Sequence, residues 1–84
     1  MIELLYYAWV RERIGLDGER VALPEDIDTV GELLDWLERR GEGYAAALGE
    51  RERLRVAVNQ AFVPVGAAVC AGDEVAIFPP VTGG

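Results

Sequence analysis

The sequence predicts a small α+β domain in which strands flank one main helix. Three observations support this: strand-like runs of apolar and aromatic residues in both halves of the chain, one amphipathic helix signature between them, and a length of 84 residues that suits a single domain. The predicted order is strand, strand, helix, strand, strand and a last strand. An apolar content of 51% is sufficient for a core and argues against disorder.

The first strand is predicted at residues 2–9, which are rich in Ile, Leu, Tyr and Trp. We expect it to lie inside the sheet and to be buried on both faces. Gly15 and Gly18 mark a turn into a second strand at residues 19–23, which Pro24 ends. A short helical turn at residues 8–14 can widen this connection.

The main helix is predicted to begin after Thr29, because Thr29 and Glu32 have the spacing of a capping box. Its apolar stripe consists of Val30, Leu33, Leu34 and Leu37. The acidic side chains between residues 25 and 38 are expected to face solvent, and Gly41 is expected to supply a left-handed cap.

The second half of the chain is predicted to complete the sheet. A short second helix and a surface loop are expected at residues 44–48 and 50–53, strands at 54–58, 62–64 and 75–78, and a turn at Asn59-Gln60. The strand at 62–64 is placed at a sheet edge because Pro64 cannot donate to a ladder. Pro79-Pro80 should end the last strand.

Composition excludes several chemistries, because the chain contains no His, Ser or Lys. Serine-histidine hydrolysis, histidine-ligated metals and Schiff-base catalysis are therefore ruled out, and no metal site is expected. Cys70 is the only cysteine, which rules out an internal disulfide, and its apolar neighbours suggest a small buried side chain.

The formal net charge of −7 opposes nucleic-acid binding, which requires clustered cations. An acidic surface suits a protein partner or solubility. No apolar run approaches the roughly 18 residues of a membrane span, and Met1-Ile2-Glu3 lacks the basic start of a signal peptide. The expected location is the cytoplasm, with no membrane association.

The most unusual segment is Pro79-Pro80-Val81-Thr82-Gly83-Gly84, none of which is typical of a core. We therefore expect a domain at residues 1–78 and an extended, flexible tail at 79–84, which can reach roughly 20 Å into a partner's active site. Gly83 and Gly84 lack Cβ atoms, so a narrow channel can close around them. A frayed, inert end is the simpler alternative for a dipeptide motif alone.

Use of the tail requires a docking surface, because ordering residues 81–84 costs on the order of 4 to 8 kcal/mol of backbone entropy. Phe62, Phe78 and Val81 are candidate apolar anchors for a partner. The carboxylate of Gly84 is a poor electrophile, so its chemistry requires another enzyme to form an acyl-adenylate. The chain itself contains no P-loop.

These residues carry a family resemblance. Val58-Asn59-Gln60, the run from Gly72-Asp73-Glu74-Val75 to the PPVTGG end, and the opening segment at residues 4–15 resemble the sulfur-carrier subunit of molybdopterin synthase. The resemblance covers nearly the whole chain and outweighs the frayed-tail alternative. Its departures are Gln60-Ala61-Phe62, where a more acidic stretch is expected, and Thr82, where Ser is also common.

The resemblance implies a ubiquitin-like β-grasp fold, with a mixed sheet of about five strands packed on one main helix. It also implies that an E1-like adenylyltransferase, using ATP and Mg²⁺, activates Gly84, and that a persulfide donor converts Gly84 to a thiocarboxylate, 1-thioglycine. Sulfur would then pass to cyclic pyranopterin monophosphate in the large subunit. That subunit would supply the catalytic side chains in a heterotetramer, so this chain would be non-catalytic and hold no stable cofactor.

The partner-binding residues implied are Phe62, Phe78, Pro79, Pro80, Val81, Thr82 and Gly83. Three alternatives stay open at this point. The same carboxylate chemistry fits a sulfur carrier for thiamine thiazole or tRNA thiolation. A protein modifier linked through Gly84 to target lysines shares the adenylation step, and an acidic β-grasp binding module with an inert tail requires none of it.

Overall fold

A computed structural model describes residues 1–80 of the chain. Its centre is one five-stranded mixed sheet in the order β2-β1-β5-β3-β4, which confirms the predicted α+β class and strand number. β1 pairs with β5 in parallel, and the other neighbours pair in antiparallel fashion. The strands are β1 (Ile2–Tyr6), β2 (Gly18–Val21), β3 (Arg55–Val58), β4 (Ala61–Val63) and β5 (Glu74–Phe78).

Three helices and one 3₁₀ turn connect these strands. The helices are α1 (Ala8–Ile14), α2 (Val30–Glu38) and α3 (Glu42–Leu48), and the 3₁₀ turn is Arg51–Arg53. α2 is the predicted main helix, and its capping box is formed: the Thr29 hydroxyl accepts from the Glu32 amide, and the Glu32 carboxylate accepts from the Thr29 amide. No helix within residues 1–80 is long and apolar enough to cross a membrane.

The core lies between α2 and one face of the sheet. The predicted apolar stripe of α2 is fully buried there, and the alternate residues Ile2, Leu4 and Tyr6 of β1 meet it from the sheet. Removing such side chains from water is the main source of stability for a domain of this size. Trp36 is half-buried at the margin of the stripe.

Three details of the predicted elements are wrong. β1 is buried on one face only, because Glu3 and Leu5 point away from the helices and Glu3 is exposed. It also stops at Tyr6, since Ala8 turns the chain into α1 with a positive φ of 53°. Gly41 is not a left-handed cap: its φ is 164°, and it lies at the start of α3.

Two surface expectations also need correction. Cys70 is exposed; of the neighbouring apolar residues, Val69 is buried in the core and Ala67 packs against it in part. The charged run at 50–53 is more than a solvated loop, because Arg51 forms ion pairs with Asp35 and Glu38 of α2. These contacts hold the 3₁₀ turn against the main helix.

One carboxylate joins four segments of the fold. The Tyr6 and Tyr44 hydroxyls donate to Oε2 of Glu19 at 2.8 and 2.5 Å, and Arg40 donates to its Oε1 at 3.0 Å. Burial alone would raise the pKa of Glu19, but the hydrogen bonds from Tyr44, Tyr6 and Arg40 hold the pKa below its usual value. Burial, together with the nearby Glu19 carboxylate, raises the pKa of Tyr6.

The hydrogen bonds to Glu19 make the free energy of unfolding depend on pH. The pKa of Glu19 is lower in the folded chain than in the unfolded chain, so the unfolded chain takes up this proton first as pH falls. The stabilisation is present above the ordinary glutamate pKa of about 4.3 and is lost as pH falls through the folded value. Glu19→Gln should lower the free energy of unfolding at pH 7 by about 1.5 to 3 kcal/mol, with the deficit shrinking below about pH 4.

Urea denaturation of both proteins across this pH range measures the effect. Glu12→Gln is the matched control, because Glu12 is exposed on α1 and has no hydrogen-bond or ion-pair partner among residues 1–80. A deficit for Glu19→Gln that stayed constant down to pH 3 would contradict the role given to the ionised carboxylate.

α1 and α3 approach each other at Gly43. A Cβ atom on Gly43 would lie 2.5 Å from the carbonyl oxygen of Arg13, which is backbone and cannot swing away. The Arg13 guanidinium reinforces this contact by donating to the carbonyl oxygen of Ala46 at 3.2 Å. Glycine at position 43 therefore sets the spacing of the two helices.

Gly43→Ala should destabilise the domain by about 1 to 3 kcal/mol, although alanine is the better helix former, because the added methyl group forces α1 and α3 apart. Gly66→Ala is the control, because a Cβ there meets no atom within 4 Å, and we expect a change of no more than about 0.5 kcal/mol. Thermal unfolding followed by circular dichroism compares the two. Equal melting temperatures for both variants would show that the close approach is not needed.

Candidate functional site at the end of the central strand

The tail leaves the domain from the middle of the sheet. β5 is hydrogen-bonded to β1 on one side and to β3 on the other, and it ends at Phe78 as predicted. Pro79 and Pro80 follow it and are half-buried. The remaining predicted tail residues, Val81, Thr82, Gly83 and Gly84, lie outside the described residues.

The sheet face that points away from the helices carries apolar side chains near this exit. Residues paired across strands share a face, so Phe78 of β5, Ala57 of β3 and Phe62 of β4 belong to the outer face. Phe62 is 80% exposed, and its ring centroid lies 5.6 Å from that of Phe78, with the planes tilted by 46°. An exposed aromatic pair of this kind is typical of an interaction surface.

The two rings border an open groove of about 410 Å³ at the edge of the sheet. Its lining residues are Arg55, Val56, Phe62, Val63, Phe78 and Pro80. Three predicted partner-binding residues, Phe62, Phe78 and Pro80, therefore meet in one place, whereas Pro79 is not part of the lining. The groove begins where the tail begins, so one partner can contact the groove and the tail together.

Tyr7 extends this surface, although it is not among the partner-binding residues predicted from the sequence. Its backbone is extended, and its amide donates to the carbonyl oxygen of Ile77 at 3.2 Å, so the strand alternation continues by one residue beyond β1. Alternation places Tyr7 on the outer face with Leu5, and Tyr7 is 49% exposed. The signal available in the sequence was strand alternation: if Tyr6 points into the core, its neighbour Tyr7 points to the opposite face of the sheet.

The turn between β3 and β4 holds Phe62 in position. Asn59 and Gln60 have φ values of 50° and 71°, the left-handed pair that a two-residue hairpin turn requires, which confirms the predicted turn. The Asn59 side chain accepts from the Glu74 amide at 3.0 Å and donates to Asp73 at 3.0 Å. The turn is thus fixed to the start of β5, and β4 keeps its register against β3.

The groove is suited to contact with a partner. Among residues 1–80, its lining is apolar except for the guanidinium of Arg55. Within residues 1–80, no cluster of three or more His, Cys, Asp or Glu side chains is arranged to hold a metal ion. The groove therefore offers apolar contact and one positive charge to a partner.

Comparison with known proteins decides the family. The sequence profile of the ThiS family matches residues 4–84. The chain belongs to the ThiS family. It is similar over 84 residues, the full length of each protein, to the molybdopterin synthase sulfur carrier subunits of Haemophilus influenzae (43% identity) and Escherichia coli (44% identity).

The fold of this ThiS-family chain is likewise shared with a solved structure. The crystal structure of SAMP1, the small archaeal modifier protein 1 of Haloferax volcanii, matches with a TM-score of 0.78 and 34% identity, covering 99% of this chain and 98% of that one. The likeness confirms the expected ubiquitin-like β-grasp, in which the mixed sheet packs on α2. The resemblance identified from the sequence is also confirmed at the level of the family.

Phe62→Ala tests whether the aromatic pair of Phe62 and Phe78 contributes to partner binding. Because Phe62 is mostly exposed, we expect the free energy of unfolding to fall by less than about 1 kcal/mol. The affinity for a protein that docks on this groove, tested with a molybdopterin synthase large subunit as the probe, should weaken by about 2 kcal/mol, roughly 30-fold. Isothermal titration calorimetry measures the affinity. Val65→Ala is the control: Val65 is also exposed, but its carbonyl oxygen bonds Gly31 of α2, on the helix side of the sheet. Equal affinities for the two variants would exclude the aromatic pair as an anchor.

Proposed function

We propose that this chain is the sulfur carrier subunit of a molybdopterin synthase. The observation that carries the proposal is full-length identity of 43% and 44% to two proteins of that name, together with a family match that runs to Gly84. The large subunit of the synthase is then its partner. The groove beside the root of the tail supports this, since it gives that partner a place to dock.

In the proposed reaction the carboxylate of Gly84 attacks the α-phosphorus of ATP in an E1-like adenylyltransferase. Pyrophosphate leaves, Mg²⁺ neutralises the phosphate charge, and an acyl-adenylate results. The terminal sulfur of a persulfide donor then attacks the acyl carbon and displaces AMP. A thiol cleaves the resulting acyl persulfide at its sulfur-sulfur bond, which leaves the thiocarboxylate of 1-thioglycine and a disulfide.

The thiocarboxylate would deliver sulfur within the large subunit. Its sulfur attacks an electrophilic carbon of cyclic pyranopterin monophosphate, and the oxygen substituent of that carbon leaves. Water then cleaves the acyl-sulfur bond, which leaves the sulfur on the pterin and returns the carboxylate of Gly84. Proton transfers in these steps are assigned to the partner enzymes, because the groove beside the tail is lined, within residues 1–80, by apolar residues and Arg55 and by no carboxylate. The contribution of the domain is to bind the partner and to aim the tail from the end of β5.

Intact mass spectrometry tests the proposal. The purified chain, incubated with an E1-like adenylyltransferase, ATP, Mg²⁺ and a persulfide donor, should gain the mass that corresponds to replacement of one oxygen by sulfur, localised to Gly84. The matched control lacks Gly84 and should gain nothing. Reconstitution with the large subunit should yield molybdopterin only from the sulfurated full-length chain, and synthesis supported by the shortened chain would refute the proposal.

A second function, protein modification, is favoured by the likeness to the small archaeal modifier protein 1 at 34% identity. In that case the activated Gly84 would form isopeptide bonds with lysines of target proteins. The chain has no lysine, so it could not extend conjugates through itself. Immunoblots of cell extracts should show a series of heavier conjugates that disappears when Gly84 is deleted, whereas a single band would exclude this function.

A further inference from the structure

Three arginines gather at the end of the sheet where β5 leads into the tail. Arg55 begins β3 directly opposite Phe78, the last residue of β5, and lines the groove with Pro80. Arg53 lies two residues earlier, and Arg13 of α1 contacts the same Trp9 ring as Arg53. We call Arg13, Arg53 and Arg55 the exit arginines.

Trp9 connects the members that come from different elements. The guanidinium carbon of Arg13 lies 4.5 Å from the centroid of the Trp9 ring, and that of Arg53 lies 5.5 Å from it. Since β1 runs parallel to β5, with Tyr6 opposite Ile77, Trp9 lies beyond the same end of the sheet as the tail. The Trp9 ring therefore attracts two guanidinium groups beside the exit. This attraction offsets the repulsion between their like charges.

These guanidinium groups are fixed by contacts that leave most of their charge uncompensated. Arg13 and Arg55 donate to backbone carbonyl oxygens, and within residues 1–80 neither lies within 4.0 Å of a carboxylate. Arg53 has Glu50 at 3.8 Å, but both side chains are more than half exposed, and such pairs contribute little. By contrast, Arg40 and Arg51 are closely paired with carboxylates.

We propose that the exit arginines dock against carboxylates that surround the mouth of the tail-receiving channel in the molybdopterin synthase large subunit. This inference rests on the function proposed above. A partner that takes in the tail must bring its channel mouth close to Pro80, and Arg55 lines the same groove as Pro80. With a net charge of −7, the rest of the surface is on average repelled by an acidic rim, so attraction limited to the exit end orients the approach.

The test compares two double variants of equal net charge. Arg53→Gln with Arg55→Gln removes two charges at the exit, and Arg20→Gln with Arg39→Gln removes two elsewhere. Arg20 is exposed opposite Glu3, toward the other end of β1, and Arg39 is exposed beside Arg40, whose partner Glu19 is on the sheet edge opposite β4. Stopped-flow mixing with the large subunit gives the association rate constant at NaCl concentrations from about 20 mM to about 500 mM.

At low salt the exit variant should associate about 3- to 10-fold more slowly than wild type, and the difference should vanish at high salt. The control variant, whose two lost charges lie away from the contact, should associate within about 2-fold of wild type. Equal slowing of both variants, no slowing, or slowing that persists at high salt would overturn the proposal, the last because it indicates lost packing. A salt-dependent effect seen with the adenylyltransferase and absent with the large subunit would also overturn it.

The outcome for the wild-type chain separates this inference from the proposed function. Failure of the wild-type chain to bind the large subunit at any salt concentration would contradict both. Tight, salt-independent binding with sulfuration at Gly84 would contradict the role of the exit arginines alone. Thermal unfolding of the two double variants should give melting temperatures within about 3 °C of each other, since all four arginines are exposed.

Discussion

The position of β5 at the centre of the sheet is the constraint on which the rest of the molecule depends. It is the last strand within residues 1–80, yet β1 and β3 flank it, and its buried Val75 and Ile77 lie among the core side chains. A chain that ended on an edge strand could fray from its end without disturbing the other strands. Here the root of the tail cannot loosen without breaking two ladders, so its direction of exit is fixed by the most strongly held strand. The two prolines then end the pairing, which frees the chain to leave the sheet.

The same strand contributes side chains to the core on one face of the sheet and to the outer surface on the other. Val75 and Ile77 face α2, whereas Ala76 and Phe78 face outward with Ala57 and Phe62. Because side chains alternate strictly, a one-residue shift of β5 would bring Phe78 inward and expose Ile77, destroying the core and the outer surface together. The hydrogen bonds from Asn59 to the start of β5 oppose such a shift. Stability and partner binding therefore depend on one register.

The α+β fold class, the order of the strands along the chain and the main helix could be predicted from the sequence, because they follow from local periodicity, capping and proline positions. The predictions for Asn59-Gln60 and the end of β5 are correct for the same reason. What the predictions missed depends on contacts distant in sequence. The exposure of Cys70, the ion pairs of Arg51 and the single buried face of β1 are decided by which elements pack where. Tyr7 joins the outer surface only because β1 lies beside β5, and no local pattern shows that pairing.

The net charge of the chain and the placement of its individual charges lead to different expectations about binding. The net charge of −7 sets the long-range field of the chain at low ionic strength, and that field disfavours any polyanion. At contact distance, binding depends on which side-chain charges are already paired with an opposite charge within the domain. Arg51 and Arg40 are neutralised by carboxylates within the domain, whereas Arg13 and Arg55 are held only by carbonyl oxygens. An acidic protein can therefore present a cationic contact where its tail emerges, and its overall charge then helps to reject every other orientation of approach.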